Sequence, residues 1–224
     1  MHIPDGFIDG PTSLAAGVVA VGGVAVALRK AADDDLESRA AMTGLVAAFV
    51  FAVQMLNFPV AGGTSGHLMG GLFAAVLVGP WLGSLAITVV LVVQCLLFAD
   101  GGISALGLNI VNMAFVPTFV AYGIFLLARK AAPATRVGLL SATAAAALAS
   151  VVLAALAFVA EFALGGTTTV SLSTLSAAMI GVHVLIGIGE AVITTLTVGA
   201  VLATRPDLVY GAGQLELNEI PVLT

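Results

Sequence analysis

The sequence predicts an all-α membrane protein, a single bundle of seven transmembrane helices. Three observations indicate this fold class: 60% of the 224 residues are hydrophobic, only 8% are charged, and the mean hydropathy is +1.18. An ordinary globular domain is about a quarter charged, so we exclude a soluble fold. A bilayer core about 30 Å thick needs about 20 apolar residues per crossing, which leaves almost no chain for a domain outside the membrane.

Seven apolar stretches, separated by polar or glycine-rich breaks, provide the seven helices. In order they cover residues 12–28, 40–56, 67–78, 82–98, 109–128, 137–164 and 173–203. The third is short and begins with polar residues, and a partly re-entrant segment is tolerated where it lines a cavity. We therefore expect one integral-membrane domain over residues 1–224, comprising an N-terminal segment (1–11), the helices (12–203) and a cytoplasmic tail (204–224).

The positions of the basic residues predict the orientation of the bundle. All seven lie in three breaks, as Arg29, Lys30, Arg39, Arg129, Lys130, Arg136 and Arg205. Loops on the cytoplasmic side carry an excess of Lys and Arg, so these breaks are expected inside the cell. The N-terminus is then outside and the C-terminus inside, and the N-terminal segment is long enough to fold back into the bundle.

Composition and motifs also argue against several functions. The net charge is −5 and the sequence has no basic run, so nucleic acid is not expected as a partner. An intramembrane hydrolase needs a paired nucleophile and base or an HExxH motif, neither of which is present, and we expect no enzyme. A self-contained metal-ion permease or channel remains the alternative, with Glu161, His183 and Glu190 available for a path across the membrane.

The position of His2 indicates metal chemistry. The N-terminal sequence MHIPDGFIDG has no positive region typical of a signal peptide, so we take Met1 as the mature terminus. The Met1 amine, the His2 amide nitrogen and the His2 imidazole can wrap one metal ion, and the imidazole of His67 can complete a square plane. Such a nitrogen plane favours Ni²⁺ or Cu²⁺. From the residues alone, a metal site and a mobile terminus without a ligand are equally supported.

Other polar residues are candidates to hold or line this site. Asp5 can accept a hydrogen bond from a ligating imidazole. His183 and Glu190 lie seven residues apart on one helix face, about 20° and roughly 10 Å from each other, and we assign both a structural or ligand-orienting role. Further candidates either support the N-terminal segment or join helices by hydrogen bonds; they are Gln54, Asn57, Ser65, Asn109 and Asn112.

The second apolar stretch carries small side chains at intervals of four residues, namely Ala40, Gly44, Ala48 and Ala52. Such a stripe allows another helix to approach closely. It serves either to dock a partner subunit or to pack helices inside the bundle, and the sequence does not distinguish the two.

Four motifs, in this order along the chain, resemble the CbiM/NikM family of cobalt and nickel transport subunits. They are MHIPDG at the N-terminus, QMLNFPVAGGTSGHLMGG at 54–71, ADGGISALGLNIVNM at 99–113 and HVLIGIGEAVIT at 183–194. The resemblance implies a seven-helix subunit that captures Ni²⁺ or Co²⁺ as its substrate, with no catalytic cofactor. It also implies that the ligands are the Met1 amine, the His2 amide and imidazole nitrogens, and the His67 imidazole.

The resemblance implies partners as well. Subunits of this family work in the prokaryotic cell membrane with a transmembrane coupling subunit, two cytoplasmic ATPases and usually a small accessory membrane subunit. The sequence has no GxxxxGK[ST] phosphate loop, which agrees with ATP hydrolysis on separate subunits. The family transports both metals, so nickel and cobalt remain open, although a square plane favours nickel.

Overall fold

The computed structural model describes residues 1–33, 36–60 and 64–213, and it is built from helices. In chain order these are α1 (Gly10–Asp33), α2 (Leu36–Gln54), α3 (Gly71–Val78), α4 (Pro80–Phe98), α5 (Leu106–Ile110), a π-helix (Val111–Val120), α6 (Ala121–Ala131), α7 (Arg136–Gly165) and α8 (Leu172–Thr204). Two short strands, β1 (Phe58–Pro59) and β2 (Ser65–Gly66), pair antiparallel between α2 and α3. Two 3₁₀ turns, Pro206–Leu208 and Tyr210–Ala212, follow α8.

Five helical segments are long and apolar enough to cross a membrane. They are Gly10–Ala32, Pro80–Phe98, Leu106–Ala131, Arg136–Gly165 and Leu172–Thr204, and a shorter apolar helix covers Arg39–Gln54. The prediction of a multi-pass, all-helical membrane protein is therefore confirmed at this level. The third predicted stretch is the exception in length, because α3 has eight residues, all of them buried. At 1.5 Å per residue it is about 12 Å long and spans less than half a bilayer core.

The predicted helix at 109–128 is longer and less regular than expected. It begins at Leu106 in α5, continues through the π-helix and ends in α6 at Ala131. Pro117 lies inside the π-helix. Proline has no N–H to donate and its ring crowds the preceding turn, which accounts for a widened helical turn in place of an ordinary one. The residue type was visible in the sequence, but its effect on the helix was not predicted.

Residues 1–9 fold back into the bundle, as the sequence analysis expected. The side chains of Ile3, Phe7 and Ile8 are buried. The Phe7 ring lies 5.8 Å from that of Phe158 and 5.3 Å from that of Phe162, measured between centroids. Removing these apolar side chains from water accounts for a terminus that packs against α7 rather than extending into solvent.

Candidate functional site

The side chain of Asn109 forms hydrogen bonds with the main chain of the N-terminal segment. The Ile3 N–H donates to Asn109 Oδ1 at 2.8 Å, and Asn109 Nδ2 donates to the Ile3 carbonyl at 3.3 Å. The Gly102 N–H donates to the same carbonyl at 2.8 Å. Both polar groups of Ile3 are therefore paired although the residue is fully buried, and the predicted supporting role of Asn109 agrees with this geometry.

The glycine pair of the ADGG motif allows the 99–105 loop to approach the N-terminal segment closely. Gly101 has a φ of +95°, and a Cβ on Gly102 would lie 2.3 Å from the Asp5 nitrogen. A residue with a side chain at Gly102 would therefore collide with the N-terminal backbone. This close approach brings the loop residues Asp100 and Ser104 to the terminus.

Asp5 has a different partner from the one predicted. Its Oδ1 accepts hydrogen bonds from the Ser104 N–H at 2.8 Å and from Ser104 Oγ at 2.6 Å. The carboxylate beside the His2 ring is instead Asp100, whose Oδ2 lies 3.5 Å from His2 Nε2. The predicted contact between Asp5 and the His2 imidazole is not seen, because the 99–105 loop brings Ser104 to Asp5 and Asp100 to His2.

The proposed nitrogen donors lie together in the interior. The imidazole rings of His2 and His67 have centroids 4.8 Å apart and planes inclined at 32°. The Met1 amine lies 3.5 Å from Ser65 Oγ, within the strand that precedes His67. Met1, His2 and His67 are exposed by 1%, 5% and 0% respectively, so bulk water does not reach these donors.

The hydrogen bonds of His67 indicate which ring nitrogen is free. Nδ1 lies 2.8 Å from the carbonyl of Leu68, and since a carbonyl only accepts, Nδ1 carries the proton. Nε2 then has a free lone pair, and it is buried without a hydrogen-bond partner in the described part of the chain. A buried, unpaired imidazole nitrogen of this kind suits a metal ligand.

In His183, as in His67, the ring nitrogen Nδ1 lies near a backbone carbonyl, but His183 lies beside the site. Its Nδ1 lies 2.7 Å from the carbonyl of Met179, one turn earlier in α8. A Cβ placed on Gly66 would lie 3.2 Å from His183 Nε2, so the ring packs against the backbone just before His67. Within the described ranges, no group of three or more His, Cys, Asp or Glu side chains is arranged to hold a metal ion. A site here depends on main-chain nitrogens in addition to the His2 and His67 rings.

Electrostatics favour neutral donors at the terminus. Burial lowers the pKa of the Met1 amine to about 4, and the nearby Asp100 carboxylate opposes part of that change. Burial also lowers the pKa of His2 to about 3, with the amine contributing. Metal ligands must be deprotonated, so both groups are in the form that can bind an ion at neutral pH.

The carboxylate of Asp100 lies beside the His2 ring and is itself hydrogen-bonded to Asn57. Burial raises the pKa of the Asp100 carboxyl, while the Met1 amine and a hydrogen bond from Asn57 lower it in part. Asn57 is therefore linked to the surroundings of His2 through Asp100. The sequence analysis did not name Asp100 as a site residue, although the carboxylate stands in the ADGG motif on which the family resemblance rests.

Three of the remaining candidates have partners elsewhere in the bundle. Gln54 Nε2 donates to the Met69 carbonyl at 2.8 Å, and both oxygens of Glu190 accept backbone N–H groups at residues 69 and 70. Asn112 does not join Asn109 at the terminus, because its Nδ2 donates to Glu161 Oε2 at 2.6 Å. Asn112 is the second residue of the π-helix, whereas Asn109 lies in α5, and the two side chains have different partners.

The small-residue stripe of α2 lies on the outer surface of the bundle. All four of its members, Ala40, Gly44, Ala48 and Ala52, are exposed, while the opposite face buries Val46, Val50 and Gln54. A Cβ on Gly44 would meet no atom within 4 Å. The stripe therefore does not pack against another helix in the described part of the chain, and docking to a partner stays a prediction.

Comparison with known proteins places this arrangement in a family. The family described as "Cobalt uptake substrate-specific transmembrane region", CbiM, matches residues 2–208. The chain belongs to the CbiM family. The predicted resemblance is thus confirmed, and the matched region covers the residues of the candidate site from His2 onward.

Relatives and solved structures agree with membership of the CbiM family. The chain is 40% identical to a candidate metal transport protein of Haloquadratum walsbyi over 94% of both chains. It is 37% identical to a candidate fused nickel transport protein, NikMN, of Archaeoglobus fulgidus, over 93% of this chain and 68% of that protein. A crystal structure of a transition metal transporter matches with a TM-score of 0.84 and 33% identity, over 90% of this chain and 92% of the other.

Proposed function

We propose that this chain is the subunit that captures Ni²⁺ or Co²⁺ for an ATP-driven importer of the energy-coupling-factor type. The ion is the substrate, and its ligands are the Met1 amine, the amide and imidazole nitrogens of His2, and the imidazole of His67. The observation that carries this proposal is the burial of the terminus beside His67, with ring centroids 4.8 Å apart. The square plane formed by four nitrogens favours Ni²⁺, since Co²⁺ takes five or six ligands more readily.

The proposal includes the topology and the partners. We propose seven crossings, one of them made by α3 together with the non-helical chain that leads into it, with the N-terminus outside and the C-terminus in the cytoplasm of a prokaryotic cell. A transmembrane coupling subunit, two ATPases and a small accessory membrane subunit complete the importer. This chain contributes no enzymatic step, because ATP is hydrolysed on the separate ATPases.

The alternative, a self-contained permease, receives less support from the side chains assigned to its path. Both oxygens of Glu190 accept main-chain N–H groups, and Glu161 accepts from Asn112. Carboxylates already engaged in this way are unavailable to pass an ion from one to the next.

Metal content tests the proposal directly. We expect the purified protein with a native N-terminus, incubated with an equimolar mixture of Ni²⁺ and Co²⁺, to retain one ion per chain. His2→Ala and His67→Ala should each abolish retention, whereas His183→Ala should have a milder effect. Retention by both ligand variants would overturn the proposed site, and uptake by the isolated subunit without ATPases would favour the permease.

A further inference from the structure

Glu190 of α8 makes its contacts with the start of a different helix. Its Oε1 accepts the Gly70 N–H at 2.9 Å, and its Oε2 accepts the Met69 N–H at 2.5 Å. The side chain is 2% exposed. Leu68, Met69 and Gly70 connect His67 to α3, so the carboxylate binds the main chain two and three residues after a proposed metal ligand.

This contact pairs the two backbone N–H groups that lie directly before the first residue of α3. The first N–H groups of a helix have no partner within the helix and are usually satisfied by the side chain at the N-cap. The N-cap of α3 is Gly70, which has no side chain to offer. Gly70 is buried, so its own N–H needs an acceptor within the protein, and Glu190 provides it. A carboxylate is well suited to this position, since it accepts two hydrogen bonds and faces the positive end of the helix dipole.

The same two residues are held from α2 as well. Gln54 Nε2 donates to the Met69 carbonyl, so the N–H and the C=O of Met69 are paired with different helices. Gly70 has a φ of +73°, and a Cβ there would lie 2.6 Å from Val50 Cγ2. The backbone at 69–70 is therefore enclosed between α8 and α2 in one conformation.

We propose that Glu190 is a positioning residue for the substrate ion: it fixes the backbone at Met69 and Gly70 and thereby holds the His67 imidazole in the ligand plane. This inference rests on the proposed function and adds to it the element that orders the fourth donor. A preorganised donor avoids the entropy cost of ordering the loop when the ion binds. The bound geometry then depends on a side chain in α8 that does not touch the ion.

The isosteric change Glu190→Gln distinguishes hydrogen bonding by the carboxylate from packing by a side chain of the same volume. Glutamine offers one acceptor oxygen, and its NH₂ group would face the second backbone N–H donor. One of the two contacts is lost while the volume is kept. Loss of a residue that orients a metal ligand typically weakens metal affinity by roughly 10–100-fold, and we expect Glu190→Gln to fall in this range.

The experiment is calorimetric titration of Ni²⁺ alone into the purified full chain in lipid nanodiscs, with a native N-terminus. The matched control is Glu161→Gln, the same substitution at another partly buried membrane carboxylate, whose partner is Asn112. We expect Glu190→Gln to weaken binding and the control to match the native protein. At saturating Ni²⁺, Glu190→Gln should also alter the visible d–d absorption, because a displaced imidazole changes the ligand field; a merely structural role would leave the spectrum of bound ion unchanged.

The outcomes distinguish this inference from the function on which it rests. If the native protein binds no Ni²⁺, the proposed function fails. If the native protein binds and Glu190→Gln binds equally well with the same spectrum, the function stands and the positioning role fails. If Glu190→Gln is not monodisperse, two other variants test the positioning role. They are Glu190→Asp, which retains both acceptor oxygens on a shorter side chain, and Gln54→Met. Unchanged affinity and spectrum in both of these variants would overturn the inference.

Discussion

The imidazole rings of His2 and His67 face each other at 4.8 Å inside the bundle, although α1, α2 and the strand pair separate them along the chain. The N-terminal segment reaches His67 because Asn109 and the 99–105 loop pair with its main chain. Two histidines from distant parts of the sequence thereby become neighbours. The Met1 amine, buried beside Ser65, makes the terminus itself part of this arrangement.

An extension of the N-terminus should remove metal binding. One alanine added before Met1 converts the amine into an amide, which lacks a basic lone pair, at a position that is buried. We expect a loss of Ni²⁺ affinity greater than the roughly 10–100-fold typical of outer-shell changes, without loss of the folded state. Calorimetry measures the affinity, and one alanine added after Thr224 provides the control. Equal binding by the N-terminally extended protein would show that the amine is not a ligand.

Asp100→Asn should weaken metal binding by affecting His2. The carboxylate lies 3.5 Å from His2 Nε2, and a residue that orients a ligating histidine is typically worth roughly 10–100-fold in affinity. Asp9→Asn is the matched control, because Asp9 Oδ1 caps α1 at Thr12 and an asparagine can also cap. Both variants are titrated with Ni²⁺. Similar effects of the two substitutions would mean that Asp100 has no particular role at His2.

Acidification should detach Asp5 from Ser104. The hydrogen bonds from Ser104 lower the pKa of Asp5 below 3.8, so the folded protein binds this proton less tightly than the unfolded chain does. The contact therefore stabilises the protein above pH 3.8 and is lost as the pH falls through the lower folded value. Metal-free Asp5→Ala should unfold at a lower temperature than the native protein at neutral pH. This difference should shrink in acid; a difference that does not depend on pH would contradict the assignment.

Cysteine labelling tests the orientation. Thr169 and Pro133 are both exposed and lie in the loops that follow α7 and α6 respectively. With the buried Cys95 replaced by alanine, Thr169→Cys should react with a membrane-impermeant maleimide in intact cells, and Pro133→Cys only after lysis. The reverse pattern would invert the topology, and labelling of both from one side would change the number of crossings between them.

The exposed stripe of α2 should be required for assembly. Leucine at Gly44 and Ala48 would prevent close approach of a partner helix, so we expect the double variant to lose co-purification with the coupling subunit while keeping its Ni²⁺ affinity. Gly181→Leu in α8 is the control, since a Cβ there also meets no atom within 4 Å. Assembly that survives the double substitution would place the docking surface elsewhere.

Much of the fold could be predicted because membrane helices are specified locally. Hydropathy located α1, α4, α7 and α8 to within a few residues of their observed bounds, and it indicated that the third stretch was short. The π-helix and the strand pair were not predicted. They arise from the accommodation of Pro117 and from backbone pairing between the two ends of a loop, and neither has a hydrophobic period.

The sequence by itself determined the membrane class and the resemblance to the CbiM family, and it named the three residues proposed as donors, because apolar content and an N-terminal histidine have direct chemical meaning. Only the tertiary structure decided that Asp100 rather than Asp5 faces His2, that Glu190 binds the backbone just before α3, and that the α2 stripe is exposed. These outcomes depend on which backbones approach one another. Such approaches depend on packing between segments that are distant in the chain, so a local sequence pattern does not predict them.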